Sequence, residues 1–381
     1  MNFWEVIVFL KKKKNVTVLL FVILFAIISV ISISSASTYL SSSLGNLVLK
    51  QLIWYAVGFF FIFIMARLQN DYFYRNAWLF YGVCNMLLLC LLLFAPEINH
   101  SKCWFVIPGI GSFQPSEFMK VSLNLLLATM ANKFRNDTQS PTVKEEFFFL
   151  IKTFLVVLLP AILTFLEPDT GAVMIYFIIY FVMLFAVGIR LRWFAIAFSI
   201  LAVLLGAILG CYFFQEKLFQ SIFGSQFYYR LERVFSWKQC TGLQLENALA
   251  AIGSAGMFGH GYNQTPIYFP ESGTDFIFAV FASNFGLIGS ILLLLLIGCF
   301  DGNLIFLATK KIKLTDKFVL AGIVGMLLFQ QIQNIGMTIG LLPITSITLP
   351  FISYGGSSLL SYMLLIGLVF NMQEENSMYY H

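Results

Sequence analysis

The sequence predicts an all-α polytopic integral membrane protein with about ten transmembrane helices and a large outer loop between the seventh and eighth spans. Three observations carry that expectation. Apolar residues of the Ala, Val, Ile, Leu, Met, Phe, Trp, Tyr and Cys set make up 59% of the chain, and only 11% of residues are charged, against about 25% in a soluble domain. Apolar runs of near-membrane length recur along the whole chain. Basic residues concentrate on alternate loops. A porin-like barrel is argued against, since its strands are alternating segments of only about 10 residues.

In order, the spans read 16–36, 49–66, 77–95, 117–132, 148–166, 170–187, 192–213, 274–299, 318–340 and 351–371. This divides the chain into an N-terminal tail (1–15), a membrane domain (16–371) that includes a large extracytoplasmic loop (214–273), and a C-terminal tail (372–381). The first run follows Lys11 to Lys14 and has the look of a signal peptide. It is long, however, and apart from Ala36 and Ser37 no compact small-residue motif ends it, so it reads as a retained span. The fourth and sixth spans are short or interrupted, which membranes tolerate only where protein or a cavity covers the backbone.

With the N-terminus inside, 16 of the 23 Lys and Arg residues fall on the cytoplasmic side, and the C-terminus is inside too. Lys50, Lys102, Lys120, Lys217, Arg230, Arg233 and Lys238 are left outside. The net charge of +5 then reflects topology, not nucleic-acid binding. The 6 cysteines show no paired metal spacing. Cys103 and Cys240 both fall outside, which leaves a disulfide between them as an alternative.

The outer loops are the larger ones. The loop over 214–273 holds two helical patterns, Gln215 to Phe223 and Leu243 to Gly253, the second amphipathic enough to lie on the membrane surface. GSAGMFGHGYNQTP, Gly253 to Pro266, resembles a nucleotide loop only in its glycines. No Lys-Ser/Thr pair follows and no strand precedes it, so it reads as a close-fitting, flexible turn.

Four polar segments gather at span ends on the outer side. In FQPSEFMK, Pro115 suits a helix start and Glu117 its first turn. Lys120 lies three residues on, as an ion-pair partner of Glu117 or as a cation for an anionic headgroup. In LEPDTG, Asp169 reads as a cap of span six. In PESGTDFIF, Glu271 and Asp275 share a face if a helix starts early, and Asp275 is either a helix-dipole partner or a functional carboxylate. In NIGMTIGLLPITSITLPFISYGGSS, Asn334 lies at membrane level, and Ser357 and Ser358 offer hydroxyls beside Gly355 and Gly356. Tight packing through small residues is the alternative there. Together the segments describe an outward-opening polar cavity, consistent with an enzyme acting on a lipid-linked substrate or with a transporter whose carboxylate handles protons.

FQPSEFMK, PDTG, AIGSAGMFGHG, FPESGTDFIFAVFASNFGLIG and NIGMTIGLLPITSITLPFISYGGSS, in this order, resemble the SEDS family (shape, elongation, division and sporulation), which includes RodA and FtsW, over about residues 16 to 371. The resemblance implies a peptidoglycan glycosyltransferase of the bacterial cytoplasmic membrane that polymerises lipid II on the outer face with loss of undecaprenyl pyrophosphate. Asp275 aligns with the family's essential acid and would take the proton of the acceptor 4-hydroxyl. Lys120, with Glu117, would meet the pyrophosphate or order the cavity. Trp104, Glu271, Thr274, Ser357, Ser358 and Asn334 complete the implied substrate site. A divalent cation, Mg or Mn, suits a pyrophosphate leaving group, without a dedicated ligand cluster, and no organic cofactor is implied. The implied partner is a class B penicillin-binding protein, met through spans eight and nine and the outer surface. A lipid II flippase and a non-catalytic scaffold are the alternatives.

Departures from the family pattern are local. Cys103 in SKCWF stands where a basic residue commonly precedes the tryptophan, Ala282-Ser283-Asn284 where relatives commonly read AEE, and Ser346 where glycine is common. The short tails favour the RodA branch.

Overall fold

A computed structural model describes residues 16–37, 46–96, 102–107, 111–138, 140–224, 228 and 243–372. The expectations for both tails, for Arg230, Arg233 and Lys238, and for a Cys103–Cys240 disulfide rest on residues outside these. Thirteen helices and one hairpin follow in order among the described residues. They are α1 (Val16–Ser37), α2 (Leu47–Arg67), α3 (Asn70–Arg75), α4 (Ala77–Phe94), β1 (Phe105–Ile107), β2 (Gly111–Phe113), α5 (Pro115–Asp137), α6 (Val143–Leu166), α7 (Thr170–Val187), α8 (Leu191–Phe214), α9 (Glu216–Phe223), α10 (Leu243–Ser254), α11 (Ile277–Thr309), α12 (Leu314–Thr338) and α13 (Gly356–Asn371). The antiparallel hairpin, with Phe105 opposite Phe113, marks one end of the bundle.

Eight of the helices are long and apolar enough to cross a membrane: α1, α2, α4, α6, α7, α8, α11 and α12. The ten expected spans are completed by α5 and α13. α13 has only 16 residues. α5 carries Glu117, Lys120, Asn124 and two serines, and α4, α6, α7, α12 and α13 all pack against it. A helix sheathed by other helices needs no lipid-compatible surface, so its polar residues are tolerated there. α8 is its opposite, since none of its residues is buried.

Local chemistry sets the boundaries. Pro115 opens α5, a position where the missing N–H costs nothing. Thr142 and Glu145 form a reciprocal capping box at the start of α6. Asp169 caps α7, as expected, and Gly188 in the left-handed region (φ 76°) ends it.

The eighth expected span needs correction. α11 begins at Ile277, after Asp275, and runs to Thr309 instead of 299. It is broken at Gly286, whose φ of 66° and ψ of −161° are open only to glycine. Residues beyond the break form the long apolar stretch, about 34 Å of helix. The Asp301-Gly302-Asn303 stretch, which reads as a loop start, lies within this helix. The Asp301 carboxylate is buried and accepts a hydrogen bond from Gln331 of α12 at 3.2 Å, which lets an acid sit inside a span.

The glycine-rich stretch after α10 fits that break. His260 N–H donates to the Ser283 carbonyl (2.9 Å) and Gly261 N–H to that of Asn284 (3.1 Å), while Leu287 and Ile288 N–H donate to Gly256 and Met257 (both 3.1 Å). These four bonds satisfy backbone groups that the break releases. The chains approach so closely that a Cβ on Gly286 would strike Gly259 N and the Met257 carbonyl. The departure at Ser283 and Asn284 belongs to this clasp. The His260 ring lies 3.0 Å from the Ser283 carbonyl, and the Thr265 hydroxyl donates to the Asn284 side chain at 3.0 Å. α10 does not simply lie on the membrane surface. It turns Leu245, Ala248 and Ala251 onto α11 and α12.

Gly286→Ala imposes backbone strain of about 1–3 kcal/mol plus a collision with the clasp. Thermal unfolding of the purified protein in detergent is expected to show a midpoint several degrees lower, about 2–4 °C per kcal/mol in a chain of this size or less.

Candidate active site

Asp275 sits in a tight turn, residues 271–276, immediately ahead of α11. Glu271 and Asp275 therefore do not share a helical face. Glu271 takes a positive φ of 54° and its carbonyl accepts from the N–H groups of Thr274 and Phe276 (3.2 and 3.1 Å). The Thr274 hydroxyl is bonded to the Glu271 carboxylate at 2.7 Å. Three successive carbonyls of the turn are held by the segment that joins α12 to α13 and by Asn334 of α12 itself. Gly273 accepts from Tyr354 N–H (2.9 Å), Thr274 from the Ser353 hydroxyl (2.6 Å) and Asp275 from the Asn334 amide (2.8 Å). The Asp275 carboxylate itself has no hydrogen-bond partner among the described residues. Burial, and then the charge of Glu271, push its pKa up to about 7.

The supporting segment is itself pinned from behind. Phe351, Ile352 and Ser353 present their carbonyls to Tyr55, Ser29 and Gln51 of α1 and α2. The Phe351 ring, at a φ of 64°, packs 5.3 Å from the Tyr362 ring of α13. Tyr362 in turn faces Lys120, whose ammonium lies 5.4 Å from the ring centre, and accepts from Gln330 at 2.7 Å.

Lys120 is fully buried and pairs with Glu117 at 2.6 Å, as the spacing in FQPSEFMK predicts. Ser361 of α13 donates to the same carboxylate at 3.3 Å. Asp169 does more than cap α7 through Ala172 N–H (3.0 Å). It also accepts from the Gln114 amide (2.9 Å) and the Ser116 hydroxyl (3.1 Å), which ties α7 to the start of α5. Burial, with Glu117 adding to it, pushes the Asp169 carboxyl up, opposed by the Ala172 and Ser116 bonds and by the Lys120 ammonium. Beside it Glu167 is wholly buried with neither carboxylate oxygen bonded. Burial, with Asp169 adding to it, raises Glu167 to about 8, so it is mostly protonated at neutral pH.

The remaining predicted residues have local roles. Ser357 accepts from Gln114 N–H at 3.0 Å and donates to the Ser112 carbonyl at 3.3 Å, joining α13 to the hairpin. Ser358 bonds to the Gly355 carbonyl at 3.2 Å. Trp104 is half-buried beside the hairpin. Asn334 is fully buried and spends both amide protons on main-chain carbonyls. The sequence reading missed Gln114, Ser353, Tyr362 and Gln330. Gln114 and Ser353 stood inside quoted motifs. Tyr362 and Gln330 had as their only signal a polar atom within an apolar run. Among the described residues no group of three or more His, Cys, Asp or Glu side chains is placed to hold a metal ion.

The fold and the site define a multi-pass helical membrane protein with a carboxylate, unbonded among the described residues, on a stapled turn beside a buried charge cluster. Comparison with known proteins places it further. Residues 15–378 match the profile of the FtsW/RodA/SpoVE family, described as cell cycle proteins. The chain belongs to this family, the SEDS proteins of the sequence resemblance. It is 30% identical to a probable peptidoglycan glycosyltransferase FtsW of Haemophilus influenzae, over 94% of this chain and 90% of that one. Its fold is similar to the rod shape determining protein RodA of Thermus thermophilus (TM-score 0.66, 26% identity, 93% of this chain and 95% of that one). It is also similar to a chain from a structure of a peptidoglycan synthase complex that coordinates polymerisation and crosslinking (TM-score 0.77, 25% identity, 93% and 96%).

Glu117→Gln strands the Lys120 charge in the bundle and is expected to destabilise the fold by about 3–5 kcal/mol. The pair Glu117→Gln with Lys120→Met removes both charges and is expected to recover most of that loss. Thermal unfolding of the two variants in parallel measures the difference.

Proposed function

We propose that this chain is a peptidoglycan glycosyltransferase that polymerises lipid II at the outer face of the bacterial cytoplasmic membrane, with Asp275 as general base. The observation that carries the reading is the Asp275 carboxylate, half-buried on a braced turn yet bonded to nothing among the described residues. An acid raised to about 7 is half-ionised at neutral pH and basic enough to accept a hydroxyl proton during attack. The acceptor 4-hydroxyl oxygen bonds to the donor anomeric carbon while the bond from that carbon to undecaprenyl pyrophosphate breaks. The hydroxyl proton passes to Asp275.

The buried Lys120–Glu117 pair is proposed to order the cavity wall, and Trp104, Glu271, Thr274, Ser357 and Ser358 to border the path of the sugars. A divalent cation is proposed to enter with the pyrophosphate, since the described residues offer no ligand cluster. Sequence charge supports an orientation with both termini in the cytoplasm. The similarity to a chain from a peptidoglycan synthase complex supports a class B penicillin-binding protein as partner. The apolar faces of α11 and α12 are proposed to meet it.

Asp275→Asn is expected to lower polymerisation of purified lipid II by about 10²–10⁴-fold, with the variant eluting as folded protein. A normal rate would overturn the assignment. Movement of lipid II across vesicles without polymer would point to a flippase, and neither activity to a scaffold. Because the base works unprotonated, the wild-type rate is expected to rise with pH through about 7. Glu271→Gln removes the neighbouring negative charge and is expected to move that limb to lower pH.

A further inference from the structure

We infer that Asn334 is a positioning residue, one that sets the attitude of Asp275 by holding its main chain; this rests on the reading of Asp275 as general base. Among the described residues the Asp275 side chain has no bonded neighbour to orient it, so its direction is inherited from its backbone. That backbone is a turn of non-helical residues, and among the described residues the Asp275 carbonyl has a single donor, the Asn334 amide at 2.8 Å. The second proton of the same amide goes to the Ile347 carbonyl, also at 2.8 Å. One buried side chain of α12 thus joins the turn bearing the acid to the segment that braces it.

The amide orientation follows from chemistry. Both neighbours are carbonyl oxygens, which only accept, so the nitrogen must face them. The Asn334 oxygen is left buried and unbonded. No other side chain of similar size supplies two donors and no charge at that point. Aspartate has the same shape but would set oxygen against both carbonyls. Ser353 reinforces the arrangement one residue earlier by donating to the Thr274 carbonyl at 2.6 Å. Its hydroxyl is itself fixed by accepting from Leu349 N–H at 2.9 Å.

The test uses the purified full chain and lipid II. Asn334→Asp is expected to lower kcat by about 100-fold, the cost of displacing a reacting group by about 1 Å, with KM within about threefold of wild type. In an Asp275→Asn background the same change is expected to cost nothing further, because the group it aims is gone. Should Asn334→Asp fail to elute as folded protein, Ser353→Ala decides, with a kcat loss of about 10-fold and the same lack of further loss in the Asp275→Asn background. A change confined to KM, an unchanged kcat, or losses that multiply across the two sites would overturn the inference and leave the assignment of Asp275 standing. Full activity of Asp275→Asn alone would overturn that assignment instead.

Discussion

Backbone polar groups have no water to turn to inside a bundle set in lipid, and the structure is organised around the places where helix fails to supply their partners. Each unpaired group there costs several kcal/mol. Two non-helical stretches, 271–276 and 347–355, meet between α11, α12 and α13. They solve the problem jointly. The second stretch, with Asn334, caps three successive carbonyls of the first, and α1 and α2 cap three carbonyls of the second. The result is a braced, irregular surface holding a carboxylate that no described neighbour consumes. The break at Gly286 obeys the same rule, with the glycine-rich loop supplying the missing partners.

The charge cluster follows from a second consequence of the same solvent. Buried ions persist when they are paired and bonded on several sides. Glu117 and Asp169 meet that condition, and Lys120 is held by its pair with Glu117 and the facing Tyr362 ring; together they draw on four elements: α5, α7, α13 and the residue that precedes Pro115. The cluster is thereby a joint between helices. Through Tyr362 and Phe351 it is in contact with the segment that braces Asp275. The charge pair and the acid are parts of one packed unit.

Much of this was legible along the chain. The apolar runs located α7 to the residue, and the i, i+3 spacing of Glu117 and Lys120 forecast their pair. The motif around Asp275 marked the acid. What failed did so for identifiable reasons. The eighth expected span stops at 299, short of Asp301, because the partner that lets this acid sit inside the helix, Gln331, comes from another helix. Asp275 looked like a first-turn residue because the turn that delays the helix is held through its Gly273, Thr274 and Asp275 carbonyls by Tyr354, Ser353 and Asn334, residues far along the chain. The hydroxyls of Ser357 and Ser358 and the amide of Asn334 looked available to a ligand, yet each is engaged with main chain.

The sequence by itself determined the class of protein, the run of most of its membrane spans and the motif in which Asp275 stands. Those depend on composition, on periodic patterning and on a local motif, all of which are properties of neighbouring residues. Only the tertiary structure decided that the glycine-rich loop closes over a broken helix, that Ser283 and Asn284 serve this clasp, and that Asn334 holds the backbone of Asp275. Each of these is a hydrogen bond between residues well separated in sequence, and a polar side chain carries no mark of which distant carbonyl it will satisfy until the helices have packed.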